Sequence, residues 1–207
     1  MEWQKRFLWK RAFDIILVVF FLMVPSLLIS GLVYLLMYIF YGGEVLYPQQ
    51  RIGYGGKEFT LYKFRTMKNG DERNEIDEQA QLKNTWDKKK KDPRVFFLGG
   101  LMRLFSIDEL PQLINIFKGD MSFAGPRPLQ PEESRVWEEK FGEEKMEKRH
   151  SVPPGLSGRA QTHGRAHLTE DEKLEMDLQY IDRISLLEDI KTLIRTVPVV
   201  LFGINAY

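Results

Sequence analysis

The sequence predicts an α+β fold that is predominantly helical, with an N-terminal membrane segment followed by a small cytoplasmic domain. Residues 15–41 carry no charged side chain, which is typical of a segment that lies in lipid. Two short apolar-rich runs on either side of Gly53 and Gly55 predict a β-hairpin. Residues 136–150 and 186–202 carry apolar side chains at helical spacing, which predicts amphipathic helices. The second of these helices either packs in the core or lies on the bilayer surface as an interfacial helix.

The uncharged segment is long enough to cross the hydrocarbon core of a membrane. As a straight helix, it would span about 40 Å, against about 30 Å of hydrocarbon. Its apolar surface continues all round, which fits neither a buried soluble helix nor the shorter apolar region of a signal peptide. The sequence therefore divides into a membrane part, residues 1–42, and a cytoplasmic domain, residues 43–207.

Positive charge on both flanks favours a segment that enters and leaves the membrane by the same face. Basic residues mark the cytoplasmic side of a membrane segment, and here they stand on both sides of it. They are Lys5, Arg6, Lys10, Arg11, Arg51, Lys57, Lys63, Arg65 and Lys68. Pro25 removes one helical hydrogen bond and predicts a break near Val24. A re-entrant helix-break-helix reconciles both observations, while a single-pass anchor with a kink stays open because prolines are common in such helices.

The cytoplasmic part contains further local patterns. Residues 68–91 are dense in charge and poor in apolar side chains, which predicts a mobile surface excursion. Residues 98–118 predict one or two helices, and VPPGLSGRAQTHGR, residues 152–165, predicts a turn-rich loop. The formal net charge of +1 gives no reason to expect nucleic acid as a partner. The chain has no cysteine and no HExxH pattern, which excludes thiol catalysis and removes support for zinc hydrolysis.

Two adjacent acids, Asp108 and Glu109, stand just before Pro111 in an otherwise apolar run. Ser106 and Glu109 have the spacing of a capping box, but Pro111 lacks the N–H that such a helix start would need. The helix is therefore expected to begin between about Asp108 and Leu110, with Pro111 in its first turn, where free N–H groups stabilise a carboxylate or a phosphate. Arg127, between two prolines, is a rigid fork for phosphate oxygens. These residue types suit phosphoryl transfer with a divalent metal, although acids that only begin a helix are equally familiar.

A series of longer motifs narrows the choice. In order along the chain they are KRAFD, QQRIGYGGKEFTLYKFRTM, KDPR, SIDELPQLINIFKGDMSFAGPRP, VPPGLSGRAQTHGR, MDLQYIDRISLLEDIKTLIRTV and the terminal NAY. Together with the apolar segment, they resemble the bacterial sugar transferase family, the monotopic polyprenyl-phosphate hexose-1-phosphate transferases. The resemblance covers nearly the whole chain and fits the small form of the family, a catalytic unit with one membrane hairpin.

The resemblance implies a specific reaction. A sugar phosphate passes from a nucleoside-diphosphate sugar, usually a UDP-sugar, to a polyprenyl phosphate such as undecaprenyl phosphate, with Mg²⁺ as cofactor and UMP as the released product. Asp108 is then the expected nucleophile of a covalent intermediate, and Glu109 its acidic partner. Both are the expected Mg²⁺ ligands. Arg103 and Arg127 match positions that handle phosphate. Other matching positions are either substrate-binding or structural ion pairs, and they are Lys63, Arg65, Asp92, Arg94, Asp120 and Asp177.

The resemblance also implies a location, the cytoplasmic face of the bacterial inner membrane. It leaves open the sugar, the glycan pathway and the oligomeric state, a homodimer included. Two residues depart from the family pattern: Val24 precedes Pro25 where a serine is common, and Arg159 stands where a tryptophan is frequent. Two other classes of function remain as alternatives. One is a glycosyltransferase that acts on a lipid acceptor and releases UDP, and the other is a membrane adaptor without catalysis.

Overall fold

The computed structural model describes residues 4, 7–21, 26–67, 95–163 and 168–202. Most of these residues are helical, and the strands form two small sheets. The helices are α1 (Leu8–Phe21), α2 (Leu27–Tyr41), α3 (Phe97–Leu104), α4 (Gln112–Lys118), α5 (Pro131–Phe141), α6 (Glu143–His150), α7 (Arg159–Thr162), α8 (Glu170–Asp182) and α9 (Leu186–Phe202). The strands are β1 (Leu46–Ile52), β2 (Glu58–Phe64), β3 (Ser122–Ala124) and β4 (Gly155–Ser157). The α+β, mainly helical class is confirmed.

The predicted β-hairpin is present. Strands β1 and β2 are antiparallel, with Leu46 opposite Phe64 and Ile52 opposite Glu58. A short 3₁₀ turn, Tyr54–Gly56, joins them, and Gly55 within it has a φ of 65° that L side chains rarely adopt. The hairpin therefore forms from local sequence signals.

The second sheet corrects the expected turn-rich loop of residues 152–165. Strand β4 lies inside that stretch and pairs in parallel with β3, with Ser122 opposite Gly155. The pairing brings two backbones so close that a Cβ on Gly155 would lie 2.1 Å from the Gly125 nitrogen. Helix α7 follows β4 directly. Glycine is required here because the neighbouring backbone occupies the space of a side chain.

Helix α1 is fixed to the cytoplasmic domain by polar contacts as well as apolar ones. Val18 is fully buried in a core cluster that includes residues of β2, α4 and β3. Lys10, also fully buried, forms an ion pair with Asp189 of α9. The Asp14 carboxylate accepts hydrogen bonds from the Ser122 hydroxyl and the Phe123 N–H. These contacts correct the interpretation of Lys10 as a flank cation, because its charge is neutralised inside the protein.

Helix α2 has one face in the core and the remainder exposed. Val33 and Met37 pack with Phe64, Phe96 and Met102. Within the described residues, none of the helices combines the length and the apolarity that crossing a membrane requires. The predicted break at Val24 and Pro25 lies outside the described residues, between α1 and α2. The re-entrant topology therefore stays a prediction.

The remaining expectations have mixed outcomes. Helix α9 confirms the helix predicted for residues 186–202, and α3 and α4 confirm the helices predicted within 98–118. Residues 136–150 form parts of two helices, α5 and α6, instead of one, because Gly142 has a φ of 89° that interrupts the helical path. The charge-dense stretch 68–91 lies outside the described residues.

Candidate active site

The acidic pair lies in a 3₁₀ turn, Ile107–Glu109, between α3 and α4. The turn is closed by the Leu110 N–H, which donates to the Ile107 carbonyl. Ser106 makes no side-chain cap and has a φ of 54°, and Pro111 is the N-cap of α4. The expectation that the α-helix begins near Asp108 is therefore corrected. The proline ring determines this arrangement, since its missing N–H is tolerated at a helix start and not further inside.

The surroundings of Asp108 favour its protonated form more than water does. The pKa of Asp108 is raised to about 6, first by burial and then by the neighbouring Glu109, while Lys63 and Arg103 act in the opposite direction. The Lys63 ammonium lies 3.5 Å from a Glu109 carboxylate oxygen. At neutral pH, Asp108 is therefore ionised yet more basic than an ordinary aspartate, a combination that suits a nucleophile.

Cationic side chains from three parts of the chain line an open cleft beside this turn. Glu109 lies on the wall of this cleft with Lys63, Arg51 and Arg127. Burial lowers the pKa of Lys63, Glu109 acts in the opposite direction, and Arg127 lowers it again. Burial and the charge of Arg127 likewise lower the pKa of Arg51 to about 10. The charge of Arg127 disfavours the charged forms of Lys63 and Arg51, so an anion in the cleft would stabilise these two cations.

Sequence analysis missed Arg51 as a cleft residue and treated it only as a membrane-flank cation. Its side chain is 7% exposed, and it lines the same cleft as Lys63 and Arg127. The available signal was its place in the motif QQRIGYGGKEFTLYKFRTM, which also carries Lys63. Gln112 and Gln161 also line the cleft and were not singled out.

Arg103 lies near enough to the acidic turn to lower the pKa of Asp108, and neither Arg103 nor Arg65 is among the described residues that line the cleft. The Arg103 Nε donates to the Thr66 hydroxyl at 2.8 Å. Gly99 permits this approach of α3, since a Cβ there would lie 2.3 Å from the Thr66 carbonyl oxygen. Arg65 forms an ion pair with Glu44 at 2.7 Å. Arg103 therefore affects Asp108 through its charge, as the pKa of Asp108 records.

Asp177 and Asp120 have partners within the protein. Asp177 is buried, and its carboxylate accepts from the Arg149 Nε at 3.0 Å. Asp120 accepts from the Asn115 amide at 3.2 Å. The sequence left two roles open for these residues, substrate binding or a structural contact. The geometry of both residues is that of a structural contact within the protein. The other two matching positions, Asp92 and Arg94, lie outside the described residues.

Asp108 and Glu109 are the candidate ligands for a magnesium ion. Over the described part of the chain, no group of three or more His, Asp or Glu side chains comes together as a metal site. Mg²⁺ commonly takes only one or two carboxylates from the protein and completes its shell with water and substrate phosphates. Asp108 and Glu109 supply two hard oxygen ligands beside a cationic cleft, which is the donor set that this mode of binding requires.

Comparison with known proteins identifies the family. A model described as bacterial sugar transferase matches residues 4–203. The chain belongs to the bacterial sugar transferase family. Within it, the chain is 39% identical over 196 residues to EpsL of Bacillus subtilis, named an uncharacterized sugar transferase, a match that covers 93% of this chain and 87% of that protein.

Longer relatives carry more specific names. The chain is 36% identical over 215 residues to the undecaprenyl-phosphate galactose phosphotransferase of Salmonella typhimurium, covering 99% of this chain and 42% of that protein. It is 38% identical over 169 residues to the UDP-N-acetylgalactosamine-undecaprenyl-phosphate N-acetylgalactosaminephosphotransferase of Aeromonas hydrophila, covering 79% of this chain and 37% of that protein. The chain thus spans less than half the length of these two sugar transferases.

Proposed function

We propose that this protein transfers a sugar 1-phosphate from a UDP-sugar to a polyprenyl phosphate, such as undecaprenyl phosphate, and releases UMP. The observation that carries the proposal is the acidic turn of Asp108 and Glu109 beside a cleft with Arg51, Lys63 and Arg127. Family membership and the names of the phosphotransferase relatives support it. A nucleophilic carboxylate next to converging cations suits phosphoryl transfer, in which negative charge spreads over the phosphate oxygens.

The reaction has two balanced halves. In the first, a carboxylate oxygen of Asp108 attacks the phosphorus that carries the sugar, and the bond from that phosphorus to the bridging oxygen breaks. UMP leaves with the bonding electrons, and an acyl-phosphate joins Asp108 to the sugar phosphate. In the second half, an oxygen of the polyprenyl phosphate attacks the same phosphorus. The Asp108 carboxylate leaves, and the product is a polyprenyl diphosphate sugar.

The cleft side chains have distinct roles in this scheme. Lys63 and Arg127 hold the phosphate oxygens, and Arg51 adds positive charge beside them. Glu109 pairs with Lys63 before substrate arrives and is the second carboxylate of the acidic pair. When Mg²⁺ is bound by Asp108 and Glu109, it neutralises charge on the diphosphate.

A polyprenyl phosphate acceptor lies in the bilayer, so an enzyme that uses it must associate with the membrane. Large apolar side chains are exposed on several of the described helices, and a bilayer would cover them. They include Leu28, Leu32 and Leu35 of α2, Phe97 and Leu101 of α3, Ile114 and Phe117 of α4, and Leu187, Ile194 and Val197 of α9. With a re-entrant segment, this arrangement makes the protein monotopic on the cytoplasmic face of the inner membrane.

A cysteine placed at Gly43, in a chain without native cysteine, should then react only with a reagent on the cytoplasmic side.

Product analysis tests the proposal. Purified protein in nanodiscs is incubated with undecaprenyl phosphate and each of a panel of UDP-sugars, and the nucleotide product is identified. UMP is the expected product. UDP instead of UMP would make the protein a conventional glycosyltransferase acting on a lipid acceptor. Asp108→Asn should abolish turnover, while Glu139→Gln, which changes an exposed acid on α5, should not. Unchanged turnover in Asp108→Asn would remove Asp108 from its role, and no turnover with any donor would favour a membrane adaptor.

A further inference from the structure

The backbone that carries Arg127 is held at four successive carbonyl groups. From Pro126 to Leu129, each carbonyl accepts one hydrogen bond, and the donors come from β4, α6 and β1. They are the Gly155 N–H to Pro126 at 2.8 Å, the Arg149 Nη2 to Arg127 at 2.7 Å, the Arg51 Nη1 to Pro128 at 3.0 Å and the Ile52 N–H to Leu129 at 2.9 Å. Two of the four residues are prolines, whose φ is already fixed. The four hydrogen bonds and the two prolines therefore restrict the backbone of residues 126–129.

Arg149 makes the shortest of these four contacts, and its own position is fixed on three sides. Its Nε and Nη2 lie 3.0 and 2.9 Å from the same carboxylate oxygen of Asp177, and its guanidinium lies 5.4 Å from the ring centre of Trp137. Arg149 and Asp177 are each 3% exposed. A hydrogen bond from a charged donor is stronger than one between neutral groups, so this contact holds the Arg127 carbonyl firmly.

Neither member of this ion pair contacts the cleft. Among the described residues that line it, Arg127 is present and Arg149 and Asp177 are absent. A substrate in the cleft would therefore touch Arg127 and not the pair behind it. The route from Asp177 to the cleft passes through Arg149 and then through the backbone of Arg127.

We infer that Arg149, oriented by Asp177, is a positioning residue that fixes the Arg127 backbone so that its guanidinium enters the cleft. Asp177, which matched a family position expected to bind substrate, acts through Arg149 instead. The kinetic consequence rests on the proposed function, because it assumes that Arg127 holds a substrate phosphate. A displacement of about 1 Å in a substrate-positioning group costs about a hundredfold in rate, so a loosened segment is expected to lower turnover.

A double-mutant cycle tests the inference in the full-length protein. Arg149→Lys keeps the charge but removes the planar fork that contacts Asp177 and the Arg127 carbonyl together. With Arg127 present, Arg149→Lys should lower kcat/KM for the UDP-sugar about tenfold or more, measured as UMP release per folded protein. In the Arg127→Ala background, the same change should cost less than about threefold, since its target is gone. Arg135→Lys, an exposed arginine on α5, is the matched control and should change neither rate.

Equal losses in the two backgrounds would overturn the inference, because a general loss of stability does not depend on Arg127. If Arg127→Ala itself left kcat/KM unchanged, the role of Arg127 under the proposed function would fail instead. Hydrogen–deuterium exchange gives a readout without any substrate. Arg149→Lys and Asp177→Asn should speed exchange in the peptide that contains residues 122–130 more than in the β1–β2 hairpin. Unchanged exchange in that peptide would contradict the inference even if the protein had no measurable turnover.

Discussion

Replacing Asp108 by asparagine should stabilise the folded protein at neutral pH. The pKa of Asp108 is raised from 3.8 to about 6, first by burial and then by Glu109. Each pKa unit corresponds to about 1.4 kcal/mol, so the ionised carboxylate costs the folded state at most about 3 kcal/mol. An asparagine side chain carries no charge and would avoid that cost. A chain of this length gains about 2–4 °C in Tm per kcal/mol, so the variant should melt higher at pH 7, by at most about 6–12 °C.

The pH dependence makes this prediction specific. Below about pH 4, the carboxyl is protonated in both states, and the cost is absent. Between about pH 4 and pH 6, the unfolded chain loses its proton while the folded protein keeps it, so wild-type stability falls as pH rises. Above about pH 6, the difference between Asp108→Asn and wild type should be constant. Urea unfolding followed by tryptophan fluorescence measures it, with Glu139→Gln as the control of an exposed acid. A difference that is the same at pH 4 and pH 7 would refute the argument from burial and charge.

Three further predictions concern the site and the fold. The kcat/KM for the UDP-sugar should fall about tenfold per pH unit below about pH 6, because Asp108 takes up a proton there. A profile that is flat from pH 5 to pH 8 would argue against Asp108 as the ionised nucleophile. Lys10→Met leaves Asp189 buried without its cation and should cost about 3–5 kcal/mol in urea unfolding, whereas a cost below about 1 kcal/mol would mean that the pair does not fix α1. In Gly125→Ala, the new Cβ would lie 2.5 Å from the Pro153 carbonyl oxygen, so the Tm should fall. In the control Gly31→Ala, the new Cβ meets nothing within 4 Å, so the Tm should not fall.

Local patterns in the sequence predicted local structure well. The β-hairpin and α9 follow from apolar-rich runs, turn glycines and helical spacing within short windows. The parallel pairing of β3 with β4 was missed, since each strand has three residues and its partner lies about thirty positions away. Helix α5 ends at Gly142 although the apolar pattern continues, because the backbone there turns to a positive φ.

The candidate site was predicted only where a motif identified it. Asp108 and Glu109 stand in one motif, and their placement in a turn beside cationic side chains required the fold. Arg51 and Lys10 were both counted as membrane-flank charges, yet both are buried with partners on distant segments. Such pairs are hard to predict because the two partners are far apart in the sequence. Charged residues are usually exposed, so burial is expected only when a partner for the charge is known. Asp177 is another example, because Arg149, its partner, lies on a different helix.

The covalent step is the centre of the account, and intact-protein mass spectrometry tests it most directly. Protein in nanodiscs is mixed with UDP-sugar and Mg²⁺ without any lipid acceptor, quenched quickly in acid and weighed. A covalent intermediate on Asp108 predicts a species heavier by one sugar phosphate that maps to the peptide of Asp108 and disappears when polyprenyl phosphate is added. An Asp108→Asn sample should remain at its original mass. Normal turnover with no such adduct at any quench time would contradict the account.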